Sequence, residues 1–329
     1  MKSIFLAALL ALVFNHLAIA KENATWIKSI FFRGHDPISK KKLEIKDIEA
    51  LALKLKTNNI RYAYIFGGPF EDNGHLPEYV FSEQTKESIK ILKKIYPELK
   101  ILPWIGGVQN KTVHLEQVGW VKNAIADTMR LTKTLSIDGI HLDLEYVLYP
   151  DPQFNQKKLD EKNYGEHWMK FHKTLRLALP NEFISSVVVS TASGTKPWKH
   201  KHTLSEIKEI SSIINQISFM FYETNIHELN AYRENLKEQL QQIKNLKYEL
   251  NQKAPQYLMA LGTFNIQKAL SSYRDLRFEK LPTTLKLMKE LDQEISPNSS
   301  LVDGLAIYCE WETTDQEWNE LRSFLANGL

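Results

Sequence analysis

One cysteine, Cys309, is all that 329 residues provide, so the chain cannot form an internal disulfide and must hold its fold by core packing alone. No apolar run is long enough to cross a bilayer as a helix; Ile4 to Val13 is too short. Charge of one sign is not in excess either: 42 Lys and Arg stand against 39 Asp and Glu, for a formal net charge of +3, which removes the electrostatic case for nucleic acid. Low-complexity tracts, internal repeats and Pro/Gly-rich linkers are lacking, and nothing divides the chain into two domains.

The N-terminus has the pattern of an export signal. Lys2 opens a short positive region, an apolar run follows, and Ala18-Ile19-Ala20 has the small-x-small form of a signal-peptidase site. Residues 1–20 are therefore expected to be a signal peptide and residues 21–329 a single domain, secreted or periplasmic and monomeric.

Short β-rich runs alternate with helical patterns throughout that domain. Strands are expected at Trp26–Phe32, Ile60–Phe66, Lys100–Ile105, Gly139–Tyr146, Ile184–Thr191, Gln216–Tyr222, Tyr257–Gly262 and Asp303–Tyr308. Amphipathic segments such as Ile45–Leu55, Thr85–Ile95 and Tyr164–Leu179 lie between them. Eight strand–helix repeats close more naturally into a (β/α)8 TIM barrel than into an open sheet, so the class is α/β. Strand C-terminal ends build the site in such barrels. Here those ends carry Arg33-Gly34-His35, Gly106-Gly107, Asp143 and Glu145, Ser190-Thr191, Tyr222-Glu223 and Glu310-Trp311, all expected on one rim.

The fourth run is the most informative. In Asp138-Gly139-Ile140-His141-Leu142-Asp143-Leu144-Glu145-Tyr146 polar and apolar residues alternate at a period of two. A strand sends His141, Asp143 and Glu145 to one face and Ile140, Leu142 and Leu144 to the other. Two inward carboxylates can divide the work of glycoside hydrolysis, which needs a proton donor at the leaving oxygen and stabilisation of an oxocarbenium-like centre. Glu145 fits the donor if its surroundings raise its pKa, and Asp143 is the neighbouring carboxylate. Their spacing along the strand, roughly 6–7 Å, suits contact through a substrate group better than direct contact. Asp138, at the strand's start, reads as structural.

These residues resemble glycoside hydrolase family 18, the chitinase and endo-β-N-acetylglucosaminidase family, whose strand-four signature is Asp-x-x-Asp-x-Asp-x-Glu. Asp138, Asp143 and Glu145 match it, and His141 replaces the remaining Asp. Ile101-Leu-Pro-Trp-Ile-Gly-Gly107 is similar to the strand-three motif with Trp104 in place of a Ser, and Phe219-Met-Phe-Tyr-Glu223 to Met-x-Tyr-Asp with Glu223 for the Asp. Gly304-Leu-Ala-Ile-Tyr308 resembles the segment that ends in the Trp flooring the sugar subsite; here Tyr308 or Trp311 takes that place.

The resemblance implies a retaining, substrate-assisted glycosidase acting on β-linked N-acetylglucosamine in an oligosaccharide, polysaccharide or glycoprotein glycan. Glu145 is then the general acid/base, Asp143 orients the 2-acetamido group, and Tyr222 bonds its carbonyl oxygen. Gly107, His141, Glu223, Tyr308 and Trp311 would contact substrate. No metal or other cofactor is implied. Trp104, Tyr146, Tyr149 and Trp198 add stacking candidates at or after strand ends. His141 either hydrogen-bonds Asp143 or is a satisfied core histidine.

Two rivals remain. One is a lectin-like barrel without activity, against which the presence of Glu145 speaks. The other is a metal-dependent hydrolase with His141, Asp143 and Glu145 as ligands, against which speaks the lack of histidines on strands three, five, six and eight.

Overall fold

In the computed structural model, residues 22–148, 161–195, 199–265, 273–297 and 300–326 are described. The expected signal peptide, Tyr149 and Trp198 lie outside them. The strands are β1 (Ala24–Ile27), β2 (Tyr62–Pro69), β3 (Lys100–Ile101), β4 (Trp104–Val108), β5 (Gly139–Glu145), β6 (Phe183–Val189), β7 (Gln216–Met220), β8 (Gln256–Gly262) and β9 (Gly304–Tyr308). All pairings among them are parallel, and β1 bonds both β2 and β9, which closes the sheet. β3 and β4 are two halves of one staggered strand position beside β2, parted at Pro103, which has no N–H for the ladder. The result is an eight-position (β/α)8 barrel in a single domain.

Helices cover the outside: α1 (Ile30–Arg33), α2 (Ile45–Thr57), α3 (Glu83–Ile95), α4 (Val118–Thr134), α5 (Glu161–Ala178), α6 (Leu204–Ser211), α7 (Leu229–Leu250), α8 (Leu281–Ile295) and α9 (Asp315–Ala326). Their starts carry local signals: Ser82 accepts from Thr85 N–H, Thr203 and Glu206 form a reciprocal capping box, and Pro282 opens α8. In α2, Ile48, Leu51, Ala52 and Leu55 recur at helical spacing and are buried against the barrel.

The strands sort their side chains into two cores. Ile140, Leu142 and Leu144 join the larger apolar layer between sheet and helices. A second cluster fills the barrel lumen with Trp26, Tyr62, Tyr64, Leu102, Tyr222, Leu258 and Phe264. That sorting explains one departure from expectation. The first strand stops at Ile27 instead of Phe32, because Phe31 and Phe32 both belong to the outer layer and a strand would turn one of them into the filled lumen.

Beneath the mouth of the barrel lies a buried polar layer. Tyr64 Oη and Ser185 Oγ both donate to Gln216 Oε1, at 2.5 and 2.8 Å, and Gln216 Nε2 donates to Gln256 Oε1 at 2.9 Å. Tyr64, Ser185, Gln216 and Gln256 thereby each find a partner on another strand, which pins the register of four barrel strands.

Candidate active site

At the C-terminal end of the strands a cavity of about 200 Å³ opens, lined by Phe66, Pro69, Trp104, Gly107, Val108, Asp143, Glu145, Val147, Lys199, Tyr222, Glu223 and Tyr308. Asp143 and Glu145 reach it from the end of β5. Gly106 pairs with Asp143 across β4 and β5, and a Cβ at Gly106 would sit 1.9 Å from the Asp143 carbonyl oxygen. The glycine there is a requirement of close backbone approach, and it lets β4 lie against the catalytic strand. Trp104, on the same strand, donates its indole N–H to Asp143 Oδ2 at 2.9 Å.

The two carboxyl groups interact directly, where the strand spacing alone suggested contact through a substrate. Asp143 is half-buried, and desolvation of its carboxyl, reinforced by the charge of Glu145, holds it well above the usual carboxylate range. As carboxylates the pair can only accept, and Asp143 Oδ1 then has no donor. Once Asp143 takes a proton, it hydrogen-bonds Glu145.

Lys199, on the connection between β6 and α6, completes the arrangement. Its Nζ lies 2.9 Å from Glu145 Oε1 and 3.8 Å from Glu223 Oε2, and the residue is only 7% exposed. Burial alone would lower the ammonium's pKa, but Glu145, Glu223 and Asp143 outweigh it and hold Lys199 above its ordinary range, so it is charged. Glu223 is pushed up to about 8, chiefly by burial and against the pull of Lys199. At neutral pH it is mostly protonated, and Glu145 is the carboxylate that balances the ammonium.

Tyr222 and Tyr308 stack at 5.4 Å with rings 12° apart and form one wall. Burial holds the Tyr222 hydroxyl well above the ordinary tyrosine range, so it is a neutral donor. Gly107 also lines the cavity, where a Cβ would meet Thr112 Oγ1 at 2.2 Å.

Other expected residues fall elsewhere. His141, expected at the substrate, is fully buried below the cavity. Its Nδ1 pairs with Ser185 Oγ at 2.8 Å, and its ring stacks on Tyr64 at 3.6 Å. Since Ser185 donates to Gln216, it accepts from His141, which assigns the proton to Nδ1 and leaves Nε2 as an unpartnered lone pair. A second ring proton would be buried without an acceptor, and burial holds His141 well below the ordinary histidine range. It is a neutral core histidine; Asp143 takes its hydrogen bond from Trp104 instead.

Trp311 lies behind Tyr308, edge-on at 5.8 Å, rather than in the cavity. Tyr146 packs against Tyr164 and His200 on the outer side. The rim is narrower than the strand ends implied: Arg33 covers the Tyr79 ring, Ser190 bonds Gln239 on α7, and Glu310 pairs with Lys54 on α2. Asp138 holds Lys93, Lys100 and the Ile101 N–H and is structural.

Sequence reasoning missed Lys199. The only trace of it is the alternation Lys199-His200-Lys201-His202, unusual so soon after a barrel strand. Phe66 was missed as well: it closed the expected strand as one more residue of an apolar run, and the strand in fact continues to Pro69.

A parallel eight-position barrel with paired carboxylates at the end of its fourth strand position defines a glycosidase-type site. The family model for glycosyl hydrolases family 18 matches residues 36–326, and the chain belongs to that family, as a glycoside hydrolase. No curated protein matches the chain. Among solved structures it is similar to a Group IV chitinase of Ostrinia furnacalis, at 12% identity and a TM-score of 0.60, covering 93% of this chain and 100% of the other. It is also similar to a class V chitinase of Pseudomonas fluorescens Pf-5, at 13% identity and a TM-score of 0.59, covering 93% and 99%. The spore cortex-lytic enzyme SleL of Bacillus cereus gives 14% identity and a TM-score of 0.59, covering 92% and 73%. These likenesses concern the fold.

Proposed function

We propose that the protein cleaves β-linked N-acetylglucosamine-containing glycans with retention of configuration, using the substrate's own 2-acetamido group as nucleophile. The observation that carries this reading is the placing of Asp143 and Glu145 side by side in a cavity walled by Tyr222 and Tyr308, with the Asp143 carboxyl held well above the usual carboxylate range.

Each group has a step that its geometry supports. The Asp143 carboxyl is held well above the usual carboxylate range beside Glu145, so a proton it carries can pass to Glu145 and from there to the leaving oxygen. The ionised Asp143 then accepts from the acetamido N–H as its carbonyl oxygen attacks the anomeric carbon. Trp104 fixes the Asp143 carboxyl during this exchange. Tyr222, neutral and at the cavity wall, donates to the acetamido carbonyl. Lys199 keeps the cluster near neutrality and can follow the negative charge from Glu145 toward Asp143 as the proton leaves.

Only about forty residues separate β8 from β9, which favours a shallow cleft and soluble or glycoprotein-borne substrates over crystalline chitin. The N-terminal pattern of residues 1–20 supports export, where such glycans are found.

The test is incubation with chitooligosaccharides, high-mannose glycopeptides and peptidoglycan, with products followed by NMR from the earliest times. Release of a β-configured reducing N-acetylglucosamine supports the proposal. Inverted products, or equal cleavage of de-N-acetylated substrate, would contradict it.

A further inference from the structure

Next to the Lys199 segment, outside the catalytic cavity, His200, His202 and Glu206 bring two imidazoles and a carboxylate together, with one donor atom from each lying within 4.8 Å of the others. His202 and Glu206 are one helical turn apart at the start of α6, and His200 approaches along the strand-like segment before it. His202 is 6% exposed, and its Nδ1 has no hydrogen-bond partner; Glu206 Oε2 lies 4.0 Å from it. A buried polar nitrogen left this way costs free energy, on the order of 1–3 kcal/mol, unless something binds it.

The surroundings are built to orient the three groups. His202 is clamped by Trp168, whose ring stacks on it at 3.8 Å. Glu206 Oε2 accepts from the Thr203 N–H and hydroxyl at 2.7 and 2.9 Å. Its Oε1 rests against Gly165 of α5, where a Cβ would lie 2.0 Å away, so the glycine makes room for the carboxylate. Burial, and then the neighbouring His200 and His172, hold His202 well below the ordinary histidine range, which leaves it neutral with a lone pair to give.

We propose that His200, His202 and Glu206 form a binding site for a divalent transition-metal ion of the zinc class, which anchors the segment that carries Lys199 to the start of α6. Two imidazoles and a carboxylate are a donor set suited to such an ion, with the remaining position open to water. Tetrahedral metal–donor bonds of about 2.1 Å place donors roughly 3.4 Å apart, so donors now within 4.8 Å of one another must draw together by up to about 1.4 Å. His200 and Glu206 are partly exposed and can supply that movement, while His202 stays fixed. Lys199 is the residue immediately before His200, whose backbone N–H bonds Tyr146 at 2.8 Å. An ion here would therefore hold the backbone that presents the ammonium to Glu145.

The experiment is a titration of the tag-free protein with zinc by calorimetry and with cobalt by visible absorption, beside the variants His200→Ala and Glu206→Gln. The proposal expects one ion per chain, ligand-field bands of a four- or five-coordinate cobalt, a raised melting temperature, and affinity weakened by about 100-fold in both variants with circular dichroism unchanged. The same spectrum in wild type reads the coordination without any variant. No binding up to millimolar metal, octahedral cobalt only, or equal binding by wild type and both variants would overturn it. The titration reads no turnover, so it stands apart from the glycosidase reading.

Discussion

Replacing Glu223 by Gln isolates the electrostatics of the cavity. Glu223 is buried, its Oε1 has no hydrogen-bond partner, and its carboxyl is raised from 4.5 to about 8, with burial the largest cause. Between those values an unfolded chain has released a proton that the folded chain keeps. The neutral carboxyl's contribution to stability is therefore complete below about pH 4.5 and is lost as pH rises through 8. At about 1.36 kcal/mol per unit, the span of roughly three and a half units corresponds to a loss of nearly 5 kcal/mol, and about 3–5 kcal/mol is a fair range. Gln has the same shape and cannot titrate. Urea denaturation of both proteins across pH 5–8 should show the variant gaining on wild type by up to about 1.4 kcal/mol per unit, with the gain levelling off near pH 8. A stability difference that does not change with pH would refute the burial argument for Glu223, and with it the assignment of Glu145 as the partner that balances Lys199.

Two further substitutions probe the neighbours. Lys199→Met removes the cation from a buried pair, at a cost of up to about 3 kcal/mol near pH 7 because Glu145 retains some contact with solvent, which paired urea denaturation curves of wild type and variant will check. His141→Asp places a carboxylate on the Tyr64 ring with only Ser185 as partner, so it should lower stability by a few kcal/mol while leaving the shape of the pH–rate profile unchanged, and a shifted profile at normal melting temperature would show that His141 does act on Asp143.

The barrel was legible in the sequence because its signals are local. Alternation in residues 139–145 separates inward from outward side chains, and that alternation holds in the structure. The misreadings are of another kind. His141 has the right face, but which inward residue meets substrate depends on depth in the lumen, which Tyr64 and Ser185 set from other strands. Lys199 meets Glu145 across 54 positions of chain, and no period in the sequence encodes such a contact. Phe31 and Phe32 looked like strand because their β propensity is real, and the filled lumen overruled it.

The most direct test of the central claim is the turnover of Glu145→Gln on whichever glycan the wild type cleaves, measured beside ligand binding by calorimetry. The amide keeps the shape of the side chain and its place near Lys199 but cannot deliver a proton. The account predicts that hydrolysis is abolished while the fold and glycan affinity are nearly unchanged. A variant that keeps more than a few per cent of wild-type turnover would contradict the assignment of Glu145 as the acid.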